Sequence, residues 1–163
     1  MSVTILPADP AKHADAVWRI FQSVVQAGGS FVFPAGTSRE DALAYWFAPQ
    51  HRCYVAEDGG EVLGAYFIQP NQPGLGNHVA NAAYMTAPEA RGRGLGGLMC
   101  AHSLEEARQQ GFLAMQYNIV VATNTGAVAL WEKHGFRIIG TAPKVYRHPD
   151  LGLVDAHIMF REL

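Results

Sequence analysis

Cysteine is scarce in this chain of 163 residues: two thiols, Cys53 and Cys100, with no CxxC pair. A disulfide framework and a redox motif are therefore excluded as organising features, and each thiol reads as a small apolar group in a packed element. Long apolar runs are also missing, since no stretch approaches the roughly 20 residues that a membrane-spanning helix needs. The opening MSVTILPADPAKHADAV lacks a basic region followed by an apolar core and a cleavage site, so the expected location is the cytoplasm. Charge of one sign is lacking too. With Lys+Arg 12 against Asp+Glu 14 and a net charge of −2, the chain does not carry the basic excess that nucleic acid or an anionic membrane surface demands. Seven histidines are scattered without the tight spacings of metal ligands, so no metal is expected. What is abundant is glycine, at 17 residues without a repeating period, so each has to be read by position.

The patterning predicts a single domain over 1–163 with the order β-α-α-β-β-β-α-β-α-β-β, a mixed α/β sheet with helices on both faces. Residues 2–8 read as a strand, and Asp9 then caps a helix with Pro10 at its first position. The predicted buried face of that helix is Ala14, Val17, Trp18, Phe21, Val24 and Val25, and Gly28-Gly29 stop it. SFVFPAGT is irregular, and Thr37 or Ser38 caps the next helix. HRCYVAED and EVLGAYFIQP flank Asp58-Gly59-Gly60, a hairpin signal. A strand over 78–88 leads to the glycine-rich turn 90–97 and a helix carrying Leu98, Cys100 or Ala101, Leu104 and Ala107 at helical spacing. The strand FLAMQYNIVV, a short helix capped by Asn124 or Thr125, and two closing strands complete the chain.

At Arg91-Gly92-Arg93-Gly94-Leu95-Gly96-Gly97 the chain passes from a strand into a helix, where free N–H groups and the positive end of the helix dipole converge. Missing Cβ atoms at Gly94 and Gly96 would let a pyrophosphate approach the amides, and Arg91 and Arg93 could pair with its oxygens. The dinucleotide fingerprint does not fit, because the spacing is GxGxGG and no early βαβ half precedes it. A P-loop does not fit either, for want of GK[ST].

The stretch RGRGLGGLMCAHSLEEARQQGF, preceded by AAYMTAP and followed by NTGAVALWEKHGF, resembles the GCN5-related N-acetyltransferase superfamily. The turn matches the family's Arg/Gln-x-x-Gly-x-Gly/Ala element. Asn124, Ala127, Leu130, Gly135 and Phe136 look like its second element, whose asparagine and aromatic lie beside the pantetheine and the thiol. GGSFVFPAG and SREDALAYWF resemble the substrate side of the subgroup containing phosphinothricin-type acyltransferases. The resemblance implies the acyl-CoA N-acyltransferase fold: about seven mostly antiparallel strands, splayed between the fourth and fifth. It also implies acetyl-CoA as cosubstrate, a homodimer, and direct acetyl transfer to a primary amine of a small molecule, an amino acid or analogue by preference. The alternative is a non-catalytic acyl-CoA-binding or sensor domain on the same fold.

Carried onto this chain, the resemblance puts Tyr84, Met85 and Thr86 along the pantetheine, residues 91–97 at the pyrophosphate, and Asn124, Ala127 and Trp131 beside the thiol. Trp131 stands where the family usually has a tyrosine; an indole N–H can donate a hydrogen bond but is no useful acid. In FLAMQYNIVV, Asn118 and Gln116 share one side of the strand, and Asn118 would lie where the strands part. Asn118, Tyr84 and His78 are the catalytic candidates, with Asn81 through water, Asp155 and His157 as other bases. Phe31, Phe33, Asn118 and Tyr146 are the candidate acceptor contacts, Tyr146 standing in a polar cluster with Arg147 and His148.

Overall fold

A computed structural model describes residues 2–163. The elements run β1 (Thr4–Pro7), α1 (Pro10–Ala27), α2 (Arg39–Trp46), β2 (Arg52–Asp58), β3 (Glu61–Pro70), β4 (Val79–Thr86), α3 (Leu95–Gln109), β5 (Ala114–Val121), α4 (Thr125–Lys133), β6 (Arg137–His148) and β7 (Gly152–Glu162). This is the expected order. The strands form one sheet in the order β1-β2-β3-β4-β5-β7-β6, antiparallel throughout except for the parallel pair β4 and β5.

Local chemistry sets the ends of the elements. Asp9 accepts the Ala11 N–H and Ser38 accepts the Asp41 N–H, so the first two helices begin on side-chain caps. Gly59 and Gly60, with φ of 60° and 86°, turn β2 into β3 as the Asp-Gly signal implied. The face of α1 is set slightly differently from its hydrophobic pattern: His13 and Ile20 join Val17, Phe21, Val24 and Val25 in the core, whereas Ala14 and Trp18 are half-buried. His13 goes inside with Nδ1 hydrogen-bonded and Nε2 close to a carboxylate but without a hydrogen bond of its own. Its Nδ1 accepts the Asp9 N–H at 2.8 Å, and its Nε2 lies 3.1 Å from Glu57. On α3, Leu98 is exposed rather than inward, and Leu95 and Met99 take the buried stripe with Cys100, Ser103, Leu104 and Ala107.

The two faces of the sheet bury different chemistry. Phe67 and its neighbours meet an aromatic cluster from the α1–α2 side, where Trp46 lies 5.0 Å from Phe67 and Phe21 lies 5.4 Å from Phe33. On the opposite face Tyr54, Tyr66 and Tyr84 stand directly opposite one another across β2, β3 and β4, under α3. Each hydroxyl finds a partner on that helix: Glu106, His102 and Ser103 respectively.

The loop after α1 is tied to the far edge of the sheet. The Tyr146 hydroxyl accepts the Gly29 N–H at 3.0 Å and donates to the Phe31 carbonyl at 2.9 Å. Gly28 sits at φ 68°, ψ 176°, a region that side chains avoid, and a Cβ there would lie 2.5 Å from Pro149 Cγ. Gly28→Ala is therefore expected to lower stability by about 3 kcal/mol in urea unfolding, combining the backbone cost with the overpacking. Gly59→Ala, which meets no neighbour, should cost about 1–2 kcal/mol from its positive φ alone.

Candidate functional site

The site exists because one pair of strands stops pairing. β4 and β5 are in register only at Val79↔Ala114 and Ala80↔Met115; beyond those residues the ladder ends and the strands diverge. An irregularity between Tyr117 and Val120 bends β5 away where it pairs with β7. Two cavities, of about 320 and 430 Å³, open along the divergence. Ser30, Tyr84 and Asn124 line both and form the partition between them.

Aromatic and amide groups wall the first cavity. Phe31 and Phe33 come from the loop after α1, Tyr45 from α2, Asn81 from β4, Asn118 from β5, and Ala127 with Trp131 from α4. Phe31 and Phe33 also pack on the core rings Trp46 and Phe21, so they serve as anchor and wall together. The bend in β5 leaves Asn118 exposed at the cavity, donating through Nδ2 to Asn71 Oδ1 at 2.8 Å and accepting from Gln116 Nε2 at 3.1 Å. Asn81 spans the start of the gap, its Nδ2 donating to the Gln116 carbonyl at 3.0 Å.

The second cavity takes Met85 and Thr86 from the end of β4, Arg91 from the glycine-rich turn, and His148 from β6. Beside it α3 begins at Gly94, whose φ of 81° is left-handed, with no side-chain cap on the helix. A Cβ at Gly94 or Gly92 would meet nothing within 4 Å, so the turn faces open space, and Arg91 and Arg93 are exposed on it. The three other positions of the turn are set by packing as well as by a path for an anion. Gly96 lets α3 approach α4, a Cβ there falling 3.1 Å from Leu130; Gly97 faces His134; and the Leu95 side chain is core. Asn124 is the cap of α4, accepting the Ala127 N–H at 3.3 Å.

Two candidates do not join this group. His78 is exposed just before β4, at the end where β4 and β5 still pair, and lines neither cavity. Tyr146 is buried and spends both functions of its hydroxyl on the backbone of the loop after α1, so it holds Ser30 and its neighbours in place without lining either cavity. Among the other bases, Asp155 accepts the Lys144 N–H and His157 pairs with Thr141, both outside the cavities. Tyr84 is present as a ring, but its hydroxyl turns beneath the wall to Ser103 at 2.7 Å and Tyr117 at 2.8 Å. Burial pushes both tyrosines far above their ordinary range, and Cys100 in the same cluster up to about 11. Ser30 and Tyr45 lie in the two segments that resemble the family's substrate side without being singled out there, and Asn71 was not legible as a site residue. Only the loop tether and the crossing of α2 and the β3–β4 loop bring them there.

A family model described as the acetyltransferase (GNAT) family matches residues 16–136. N-acetyltransferase aca1 of Schizosaccharomyces pombe is 36% identical over 100 residues, which cover 60% of this chain and 47% of that protein. The chain thus spans about half the length of that relative. Among solved structures, a GCN5-related N-acetyltransferase from Kribbella flavida is 41% identical with a TM-score of 0.93, covering 99% of this chain and 98% of that one. A phosphinothricin acetyltransferase from Sinorhizobium meliloti, solved with acetyl-CoA, shares the fold at 20% identity and a TM-score of 0.86, covering 100% of this chain and 89% of that one.

The buried hydroxyls make a prediction about alkali. Tyr84 and Tyr117 keep their protons in the folded state to well above pH 10, whereas in the unfolded chain they ionise near 10. Below that pH both states are protonated and these groups leave stability unchanged. Above it the unfolded state binds fewer protons, so stability falls as pH rises, by about 1.4 kcal/mol per pH unit for each such tyrosine. Urea midpoints measured from pH 8 to 11 should be level to about pH 10 and then drop, and Tyr84→Phe with Tyr117→Phe should flatten the drop.

Proposed function

The chain belongs to the GNAT acetyltransferase family, and from that premise we propose that it transfers the acetyl group of acetyl-CoA to a primary amine of a small molecule. The observation that carries this reading is the loss of pairing between β4 and β5 after Ala80, which opens two cavities on either side of one partition. An extended thioester arm fits such a gap as an added strand would, on the unpaired edge of β4 at Tyr84, Met85 and Thr86.

The turn suits the anionic part of the cosubstrate. Gly94 opens onto free space at an uncapped helix start, so the N–H groups of Leu95, Gly96 and Gly97 can point at phosphate oxygens, with Arg91 and Arg93 to pair with them. Asn124 and Ala127 at the start of α4, with the Trp131 ring, would flank the thioester end. Asn118, in the same cavity, would orient the acyl group or the amine.

The amine attacks the carbonyl carbon directly in a ternary complex, the C–N bond forming and the C–S bond breaking. Among the described residues that line the cavities, no side chain serves as an acid to help the sulfur leave: Tyr84 and Tyr117 hold their protons too tightly, and Trp131 offers only an indole N–H. The coenzyme then leaves as the thiolate, which is tolerable for a thiol with a pKa of about 8.5. Geometry and desolvation therefore carry the rate, through alignment of the amine and a fixed N–H for the developing oxyanion.

Release of free thiol from acetyl-CoA should be seen with a panel of small amines. Gly94→Val should weaken acetyl-CoA binding by calorimetry about tenfold or more, because it fills the open space before the helix start. Asn118→Ala should lower kcat about tenfold or more with little change in acetyl-CoA affinity. Tight acetyl-CoA binding with no thiol release for any amine would favour a non-catalytic acyl-CoA-binding domain instead.

A further inference from the structure

The first cavity is defined as much by what its wall omits as by what it holds. No Asp, Glu, Lys, Arg or His is among the described residues that line it. Resting on the acetyl-transfer reading, we propose that the acceptor is an amine with an aromatic or branched apolar body and no acidic group, in contrast to the amino acid that family resemblance suggests.

The amides in the wall do not supply what an anion would need. Asn118 is engaged at both ends, by Asn71 and Gln116, and Asn81 gives its amide to the Gln116 carbonyl. Asn124 caps its helix through Oδ1 and keeps only a neutral amide N–H to offer, and the hydroxyls of Tyr84 and Tyr117 are turned under the wall toward each other. A carboxylate beside the amine would enter a site that offers it neutral donors only and no cation, which penalises it. The cationic side chains, Arg91 and His148, lie in the second cavity, beyond the Ser30–Tyr84–Asn124 partition. The cleft is therefore divided by charge, with anionic equipment on one side and an uncharged aromatic wall on the other.

An apolar body has good partners. Phe33 and Tyr45 present tilted rings 4.6 Å apart, and Trp131 lies 5.0 Å from both Tyr84 and Tyr117. These faces attract an ammonium at the mouth. With no carboxylate to hold the charge, desolvation then favours loss of the proton to water, and the neutral amine is the form that can attack. The amine thus reaches the thioester as a nucleophile without a base on the protein.

The test compares 2-phenylethylamine with L-phenylalanine, which differ by one carboxylate. Equilibrium binding to the full chain with saturating CoA, read by calorimetry, should favour the amine at least about tenfold. Thiol release from acetyl-CoA should show the same order in kcat/KM, and with a series of arylalkylamines the ascending limb of the pH profile should follow the amine's own pKa. Val32→Arg places a cation on the same wall and should narrow the gap. Equal or tighter binding of phenylalanine, or binding of neither compound, overturns the proposal. If thiol release is fastest with phenylalanine, acetyl transfer stands and this proposal falls. If no thiol is released yet the binding preference holds, the ligand class stands and the catalytic reading falls.

Discussion

Everything that distinguishes this molecule from a plain antiparallel sheet follows from a parallel ladder that lasts two residues. Val79 and Ala80 pair with Ala114 and Met115, and then β4 and β5 separate. Parallel strands need a long crossover, here the glycine-rich turn and α3, and that crossover delivers a helix start beside the gap it helps to open. Had the pairing continued, the sheet would have closed over the space now held by both cavities, and the rings of Trp131 and Tyr117 would have had no cleft to face.

Holding two strands apart requires firm support from below, and α3 provides it in an unusual way. Its buried face is partly polar: Ser103 is fully buried, and His102 and Glu106 reach tyrosines of the sheet. A buried hydroxyl without a partner costs more than a methyl group in its place, so the row from Tyr54 to Tyr84 fixes how α3 sits along the sheet as well as how tightly. The opposite face relies chiefly on apolar packing, with Phe21, Trp46 and Phe67 at its centre. The helix that carries the anion-facing turn thus sits on the more directional of the two interfaces.

The order of elements was legible because its punctuation is local: Asp9 and Ser38 as caps, Gly59-Gly60 as a hairpin, Gly111 and Gly135 after helices. The turn was legible for the same reason, since its glycines and arginines are contiguous. The acceptor side was harder, because its wall is assembled from Phe31, Tyr45, Asn81, Asn118 and Trp131 on five separate segments. Strand alternation served in β5: Asn118 reaches the cavity where the strands part, and Gln116, on the same side, supports it. His78 and Tyr146 carried suitable chemistry at the wrong places in space, one outside the gap and one consumed by a loop. His13 shows the converse, a polar residue whose burial depends on Glu57, a partner 44 positions away in the chain.

The division of the cleft at Ser30, Tyr84 and Asn124 has a consequence for how such a chain can diversify. The second cavity is lined by the ends of α1 and β4, the glycine-rich turn, the start of α4 and β6, whereas the wall of the first draws on α2 and the exposed edge of β5 beside the loop after α1. A substitution at Val32 or Ile119, both exposed, can reshape one chamber without touching the other. Descendants of this architecture are then free to remodel the first chamber while keeping the second, with the Tyr146 tether holding the loop after α1 to the same sheet.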